Sequence, residues 1–163
     1  MRRRAAVAIA AIAAVLAAAT VVPLTQFGSE TRHLSRPQYA ARVTAIYRRL
    51  GTSIHGAAPG RSAAEMSHAL RVIKNALDRA AVDLAALHPP HDAERDQRIL
   101  VESTRDYAAQ IDLVRASVDL GNPAVIASHL REVTAPAAIR AALRDLAAKG
   151  YRVSTALVAL RYR

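Results

Sequence analysis

The sequence predicts an all-α protein: an up-and-down antiparallel bundle of four to five helices, preceded by an N-terminal signal or anchor helix. Three observations indicate this fold. The chain is rich in alanine, with 4% aromatic residues and no Trp, a composition that favours closely packed helices over sheets. Apolar residues recur at alternating spacings of three and four positions, which places them on one helical face. Glycine, proline and capping residues separate these periodic stretches.

The first 22 residues have the layout of a signal peptide. Residues 2–4 are arginines, and the eighteen residues that follow, 5–22, carry no charge. Small residues at 17–19 would suit a cleavage site. An uncleaved anchor is the alternative, because residues 5–22 are just long enough to cross a bilayer as a helix. In either case we expect residues 23–34 to be a linker and the remainder to be extracytoplasmic, secreted or anchored in the cytoplasmic membrane.

The first helix of the body is predicted to begin at Ser35, a favourable N-cap, with Pro37 in its first turn. Glycines and a proline in residues 55–60 end it. Its apolar stripe consists of Ala40, Val43, Tyr47, Leu50 and Ile54.

The second helix is predicted over residues 63–87. Ser62 and Glu65 have the spacing of a capping box, and Pro89 and Pro90 stop the helix. Arg79 with Asp83, and Lys74 with Asp78, have the i,i+4 spacing of surface ion pairs. Its apolar stripe consists of Met66, Leu70, Ile73, Leu77, Ala80, Leu84 and Leu87.

The third helix is predicted over residues 91–119, with acids in its first turns, where the helix dipole favours them. Ser103 and Thr104 interrupt its inner face, and a hydroxyl there is expected to bond the carbonyl four residues earlier. The two longest helices should form the central hairpin. The apolar stripe of this helix consists of Leu100, Tyr107, Ile111, Val114 and Val118.

The sequence Gly121, Asn122, Pro123 predicts a helix end followed by a new start. A fourth helix follows over about 123–133. A restart near Pro136 places Ile139, Leu143 and Leu146 on an inner face, and Gly150 ends it. The bundle therefore spans residues 35–150, and residues 151–163 form a basic tail or a short final helix.

The net charge of +10 is concentrated at the two ends of the body. Residues 30–61 carry six arginines and one acid, and residues 149–163 carry four basic residues and no acid. Residues 62–148 hold ten basic and twelve acidic residues. A nucleic-acid-binding domain usually concentrates positive charge on one face of its body, so this distribution favours a neighbouring anionic surface over nucleic acid.

Two histidine patterns in the sequence have spacings that also occur in metal-binding sites. His88 and His91 flank Pro89 and Pro90, but an extended Pro-Pro segment need not bring the rings together, and zinc needs further ligands. A solvated corner between helices is the favoured interpretation. Two Glu-x-x-His motifs, Glu30 with His33 and Glu65 with His68, match the spacing of di-metal bundles. They are disfavoured because the first lies in the predicted linker and the second at a helix start.

Catalytic motifs are missing from the sequence. It contains no Cys and no phosphate-binding glycine loop, and neither Gly-x-Ser-x-Gly nor His-Glu-x-x-His. Glu102 and Asp106 are neighbours on one helix rather than carboxylates facing each other across a cleft. We therefore expect no catalytic residue, no metal ligand and no cofactor.

A basic segment next to the membrane-type helix is the main functional candidate. Its arginines could contact anionic lipid headgroups or an acidic wall polymer, and the alternative is an ordinary solvated helix face. The residues are Arg32, Arg36, Arg42, Arg48 and Arg49.

The sequence Leu87, His88, Pro89, Pro90 resembles the helical-hairpin turn of uncharacterised exported helical-bundle proteins of high-GC bacteria. The resemblance covers roughly residues 62–120 and implies no activity or site residue. Members often carry a lipobox cysteine, which this chain lacks.

The sequence therefore predicts an exported or membrane-tethered, non-enzymatic module of the cell envelope that binds a partner protein or an anionic polymer. One alternative is a small exported metal- or cofactor-binding protein, or an enzyme, that uses the bundle core. The other is a basic nucleic-acid-binding helical protein.

Overall fold

The computed structural model describes residues 33–57 and 62–153. Within these ranges the regular elements are α1 (Arg36–Gly56), α2 (Ala63–Ala85), a 3₁₀ turn (His91–Ala93), α3 (Glu94–Asp119), α4 (Pro123–Arg131) and α5 (Ala135–Ala148). The predicted all-α class is confirmed for this part of the chain. The signal or anchor segment 1–22, residues 23–32 of the predicted linker and residues 154–163 lie outside the described residues.

Side-chain contacts give the relative directions of α1 and α3. The Tyr39 hydroxyl donates to Gln97 Oε1 at 2.7 Å, and the Tyr47 hydroxyl lies 3.2 Å from Thr104 Oγ1. Because the two pairs follow the same order along both helices, α1 and α3 run in parallel.

The helix α5 runs opposite to α3. Lys149, just after α5, contacts Asp96 near the start of α3, whereas the Ala135 N–H at the start of α5 donates to Gln110 further along α3. The helix α2 joins α3 through a short corner and packs along it. These contacts are consistent with an up-and-down bundle in which α3 is central.

The core follows the stripes expected from sequence. Thirteen stripe residues on the three long helices are buried, as is Leu87 just after α2, and Ile139, Leu143 and Leu146 are buried on α5. Met66 is an exception, since 39% of it is exposed, so the buried stripe of α2 begins later than predicted. The thirteen are Ala40, Val43, Tyr47, Leu50, Ile73, Leu77, Ala80, Leu84, Leu100, Tyr107, Ile111, Val114 and Val118.

The predicted helix ends are also present. Ser62 Oγ accepts from the Glu65 N–H, and the Glu65 carboxylate accepts from the Ser62 N–H, which is the predicted capping box. Asn122 Oδ1 accepts from the first N–H groups of α4. Gly121 and Gly150 adopt left-handed φ values of 66° and 88°, as helix-ending glycines do.

Of the two predicted ion pairs on α2, Lys74–Asp78 is confirmed at 2.7 Å, and Arg79–Asp83 is wrong. Asp83 instead pairs with Arg49 of α1 at 3.0 Å, while Arg79 Nε donates to the Asn75 carbonyl on its own helix. An exposed i,i+4 pair stabilises a helix by only about 0.3–0.5 kcal/mol, so an acceptor on a neighbouring helix competes easily.

The described residues beyond the helices pack on the bundle. Leu34, before α1, donates its N–H to the His88 carbonyl at 2.8 Å and packs against the core. After α5, residues 151–153 are not helical, and Tyr151 and Val153 are buried. The folded body therefore extends beyond both ends of the predicted range 35–150.

Candidate functional site

At the corner between α2 and α3, histidine, carboxylate, tyrosine and arginine side chains lie close together. Pro89 and Pro90 end α2 because proline cannot donate to a helix ladder, and the 3₁₀ turn leads directly into α3. The segment before α1 lies against this corner, since His33 Nδ1 is 2.5 Å from the Pro89 carbonyl oxygen. The beginning of the described body therefore lies against the corner between α2 and α3.

His33, His91 and Glu94 form a group at this corner. The two imidazole rings have centroids 4.1 Å apart, and His91 Nδ1 is 2.8 Å from Glu94 Oε1. Each residue offers one ligand atom within 4.8 Å of the others, and all three residues are exposed. The expected corner is present, but His91 is joined by His33 rather than by His88. Glu30, which has the Glu-x-x-His spacing with His33, lies outside the described residues.

Asp92 lies beside this group and is fully engaged in structural bonds. Its carboxylate accepts from Arg36 at 2.6 Å and from the Tyr151 hydroxyl at 2.7 Å. The Tyr151 hydrogen bond, together with the Arg36 charge, lowers the pKa of Asp92 below its usual value. Asp92 thus remains ionised and holds the residues that follow α5 against the start of α1.

Tyr151 is the other half of this contact. Its ring meets the Tyr39 ring edge-on at 5.7 Å between centroids, and the Arg36 guanidinium lies 5.5 Å from the ring centroid, within cation–π range. Burial, followed by the hydrogen bond to Asp92, raises the pKa of Tyr151 to about 12. The hydroxyl is therefore a hydrogen-bond donor at neutral pH rather than a base.

Two polar residues of α3 are buried below the corner. Asp96, 2% exposed, pairs with Lys149 Nζ at 2.6 Å, and Lys149 also donates to the Asp92 carbonyl at 2.8 Å. Gln97 accepts from Tyr39 and donates to the Leu84 carbonyl. Leaving one such buried group unpaired costs about 1–3 kcal/mol, so these bonds fix how the helices pack.

Sequence reasoning missed both buried residues. It treated Asp96 as a first-turn acid and did not consider Gln97. Their spacing in the sequence could have indicated that they are buried. Positions 96 and 97 lie four and three residues before Leu100, so they fall on the same face of α3 as its apolar stripe.

The hydroxyl prediction for α3 is confirmed. Thr104 is fully buried, and its Oγ1 donates to the Leu100 carbonyl, four residues earlier, at 2.7 Å. Burial raises the pKa of Tyr47, which faces Thr104, well above its usual value, and burial does the same for Tyr39. These buried phenols remain neutral and join α1 to α3.

The predicted arginines of α1 divide into two kinds. Arg36 and Arg49 pair with Asp92 and Asp83 on neighbouring elements. Arg42 and Arg48 are exposed and have no ion pair within residues 33–57 and 62–153. Arg32 lies outside the described residues.

The other candidate site residues do not line a cleft within the described residues. Glu102 and Asp106 are both exposed on α3, as expected for neighbours on one helix. His68 is exposed on α2 and lies 3.0 Å from Arg71, away from the apolar stripe. Neither pattern places groups across a cavity where they could act together on a substrate.

The chain shows no membrane-spanning candidate among its described helices, which are too short or too polar to cross a bilayer. Comparison of the chain with protein-family models, with curated proteins and with solved structures found no match in any of the three.

Proposed function

We propose that the chain is an exported or membrane-tethered, non-enzymatic module of the cell envelope that binds an anionic surface through α1. The surface is either acidic lipid headgroups or an acidic wall polymer, which share negative charge and hydrogen-bond acceptors. Residues 1–22 direct export, and they either tether the bundle or are removed.

The observation that carries this proposal is the charge of α1. This helix contains four arginines and no acid, and its exposed Arg42 and Arg48 have no ion pair among the described residues. A cation near an anionic membrane surface is attracted by about 1 kcal/mol. The unpaired arginines of α1 can therefore favour one orientation of the bundle on such a surface.

The non-enzymatic part of the proposal is supported by how polar groups are used inside the body. Asp96, Gln97 and Thr104 bond to residues on other elements or to their own helix. Their role is the specific packing of helices, and the protein acts through its outer surface.

Export is tested by the N-terminal sequence and the membrane partition of the full chain expressed in a bacterium with a cell envelope. We expect the protein outside the cytoplasm, either with a new N-terminus near residues 17–22 or intact in the membrane fraction. An intact chain recovered from the cytosol contradicts the proposal.

Surface binding is tested by sedimentation of the purified protein with vesicles of anionic or neutral lipid and with an acidic wall polymer. We expect stronger binding to the anionic samples and a loss of binding as ionic strength rises. The double variant Arg42→Gln/Arg48→Gln should lose up to about 2 kcal/mol, roughly thirtyfold in affinity.

The matched control is Arg140→Gln/Arg144→Gln on α5, whose two arginines are also exposed. This variant has the same charge change and should bind as the wild type does. Equal losses in both double variants would reduce the effect to net charge and contradict a role for α1. Binding to DNA with a steep salt dependence, and not to the anionic vesicles or polymer, would also contradict the proposal.

A further inference from the structure

His33, His91 and Glu94 carry side chains of the kind that bind metal ions, and the proposed function does not use them. These residues come from two distant parts of the chain, yet their ligand atoms all lie within 4.8 Å of one another. Exposed acids and histidines are common on protein surfaces, and what distinguishes this group is how its three side chains are held.

We infer that His33, His91 and Glu94 form a binding site for a divalent transition-metal ion of the zinc class, with water completing the coordination. Two imidazoles and one carboxylate form a ligand set that zinc accepts, with a further position left open. Magnesium and calcium prefer oxygen ligands throughout, which excludes them as the preferred ions.

The environment of His33 orients its ring for coordination. A carbonyl oxygen can only accept a hydrogen bond, so the 2.5 Å contact with Pro89 places the ring hydrogen on Nδ1. The neutral ring then carries its lone pair on Nε2. Metal-binding histidines typically donate their other N–H to a carbonyl or carboxylate in this way.

The backbone around His33 is also held in place. The neighbouring Leu34 N–H donates to the His88 carbonyl at 2.8 Å, and Pro89 and Pro90 restrict the corner that supplies both acceptors. His33 therefore presents its free nitrogen from a fixed position relative to the start of α3.

His91 and Glu94 supply the other two ligands from a single turn. Their nitrogen and oxygen atoms are 2.8 Å apart. Zinc bonds of about 2.0–2.1 Å place tetrahedral ligand atoms roughly 3.3 Å apart. The His91–Glu94 pair must therefore open slightly, whereas the wider separations in the group, which reach at most 4.8 Å, must close. Rotation can supply this movement because the side chains of His91 and Glu94 are 83% and 50% exposed.

Neighbouring charges allow a cation at this position. Arg36, at the same corner, is paired with Asp92 at 2.6 Å, which offsets its positive charge. A bound ion would join the segment before α1 to the beginning of α3. Because an ion that binds only the folded state stabilises it, metal should raise the melting temperature.

The test is calorimetric titration of the full purified chain with Zn²⁺, in detergent when residues 1–22 are retained, with Mg²⁺ as the comparison ion. We expect one Zn²⁺ per chain, a higher melting temperature with Zn²⁺ and no comparable effect of Mg²⁺. His33→Ala and Glu94→Gln should each weaken binding by at least the ~10–100-fold that second-shell changes produce.

The matched control is His88→Gln, which removes an exposed histidine from the same corner but leaves the three ligands intact. It should bind Zn²⁺ as the wild type does, and NMR should show ring-signal shifts for His33 and His91 but not for His68. Failure to bind Zn²⁺, unchanged binding in Glu94→Gln, or an equal loss in His88→Gln would overturn the inference. Circular dichroism of each variant verifies that its helices are intact.

Discussion

Asp92 joins three segments of the chain through one carboxylate. It accepts from Arg36 at the start of α1 and from Tyr151 after α5, and it lies in the 3₁₀ turn just before α3. The tyrosine bond and the arginine charge favour the ionised carboxylate and lower its pKa. The free energy of unfolding should therefore depend on pH through the ionisation of Asp92.

We predict that Asp92→Asn is less stable than the wild type at neutral pH and that the difference narrows in acid. The folded pKa of Asp92 lies below the ordinary value of 3.8, so the unfolded chain takes up the proton first as pH falls. The stabilisation is therefore complete well above pH 3.8 and is lost as pH falls through the lowered pKa. Urea unfolding at neutral pH and at a series of acidic pH values measures how the difference changes.

The control for this prediction is Asp106→Asn, which changes the same residue type at an exposed position of α3. Asp106 has no ion pair among the described residues, so its variant should differ little from the wild type at either pH. A pH-independent difference in Asp92→Asn would mean that its carboxylate is not held by charge-dependent bonds.

At the scale of elements, the helix ends are determined by residues that act locally. Gly121 follows α3 with φ 66°, a conformation that costs other residues about 1–2 kcal/mol. Gly51 is different, since it lies within α1 and a Cβ placed there would meet no atom within 4 Å. The two glycines should therefore respond in opposite directions to the same substitution.

We predict that Gly121→Ala destabilises the protein by about 1 kcal/mol and that Gly51→Ala stabilises it by about 0.5–1 kcal/mol. Chemical unfolding of both variants beside the wild type measures the two changes. A stabilising effect of Gly121→Ala would contradict a left-handed residue at that helix end.

At the scale of the whole molecule, the described bundle is held together where the start of α1 and the residue Asp92 meet the residues that follow α5. Tyr151 is 3% exposed, contacts the Tyr39 ring and donates to Asp92. Its burial was not predicted, because the sequence interpretation placed the end of the bundle at Gly150.

We predict that a chain ending after residue 150 is about 3 kcal/mol less stable than one ending after residue 153. The difference arises because only the longer chain retains the buried aromatic ring and its hydrogen bond. Chemical unfolding of the two truncated chains makes the comparison, and both lack residues 154–163. Equal stabilities would show that residues 151–153 contribute no packing energy.

The sequence by itself determined the helices, their ends and most of their buried faces. Ser62 and Glu65, Asn122, and Gly121 act within one turn of the backbone, and apolar periodicity needs only the geometry of a single helix. These interactions are local, so the order of residues along the chain contains them.

Only the tertiary structure decided which polar groups meet. His33 reaches His91, Asp83 pairs with Arg49, and Asp96 is buried with Lys149. Each of these partners lies far away in sequence, and its distance depends on how whole helices pack. A candidate site built from such contacts could not follow from spacing along one helix, because helix packing creates it.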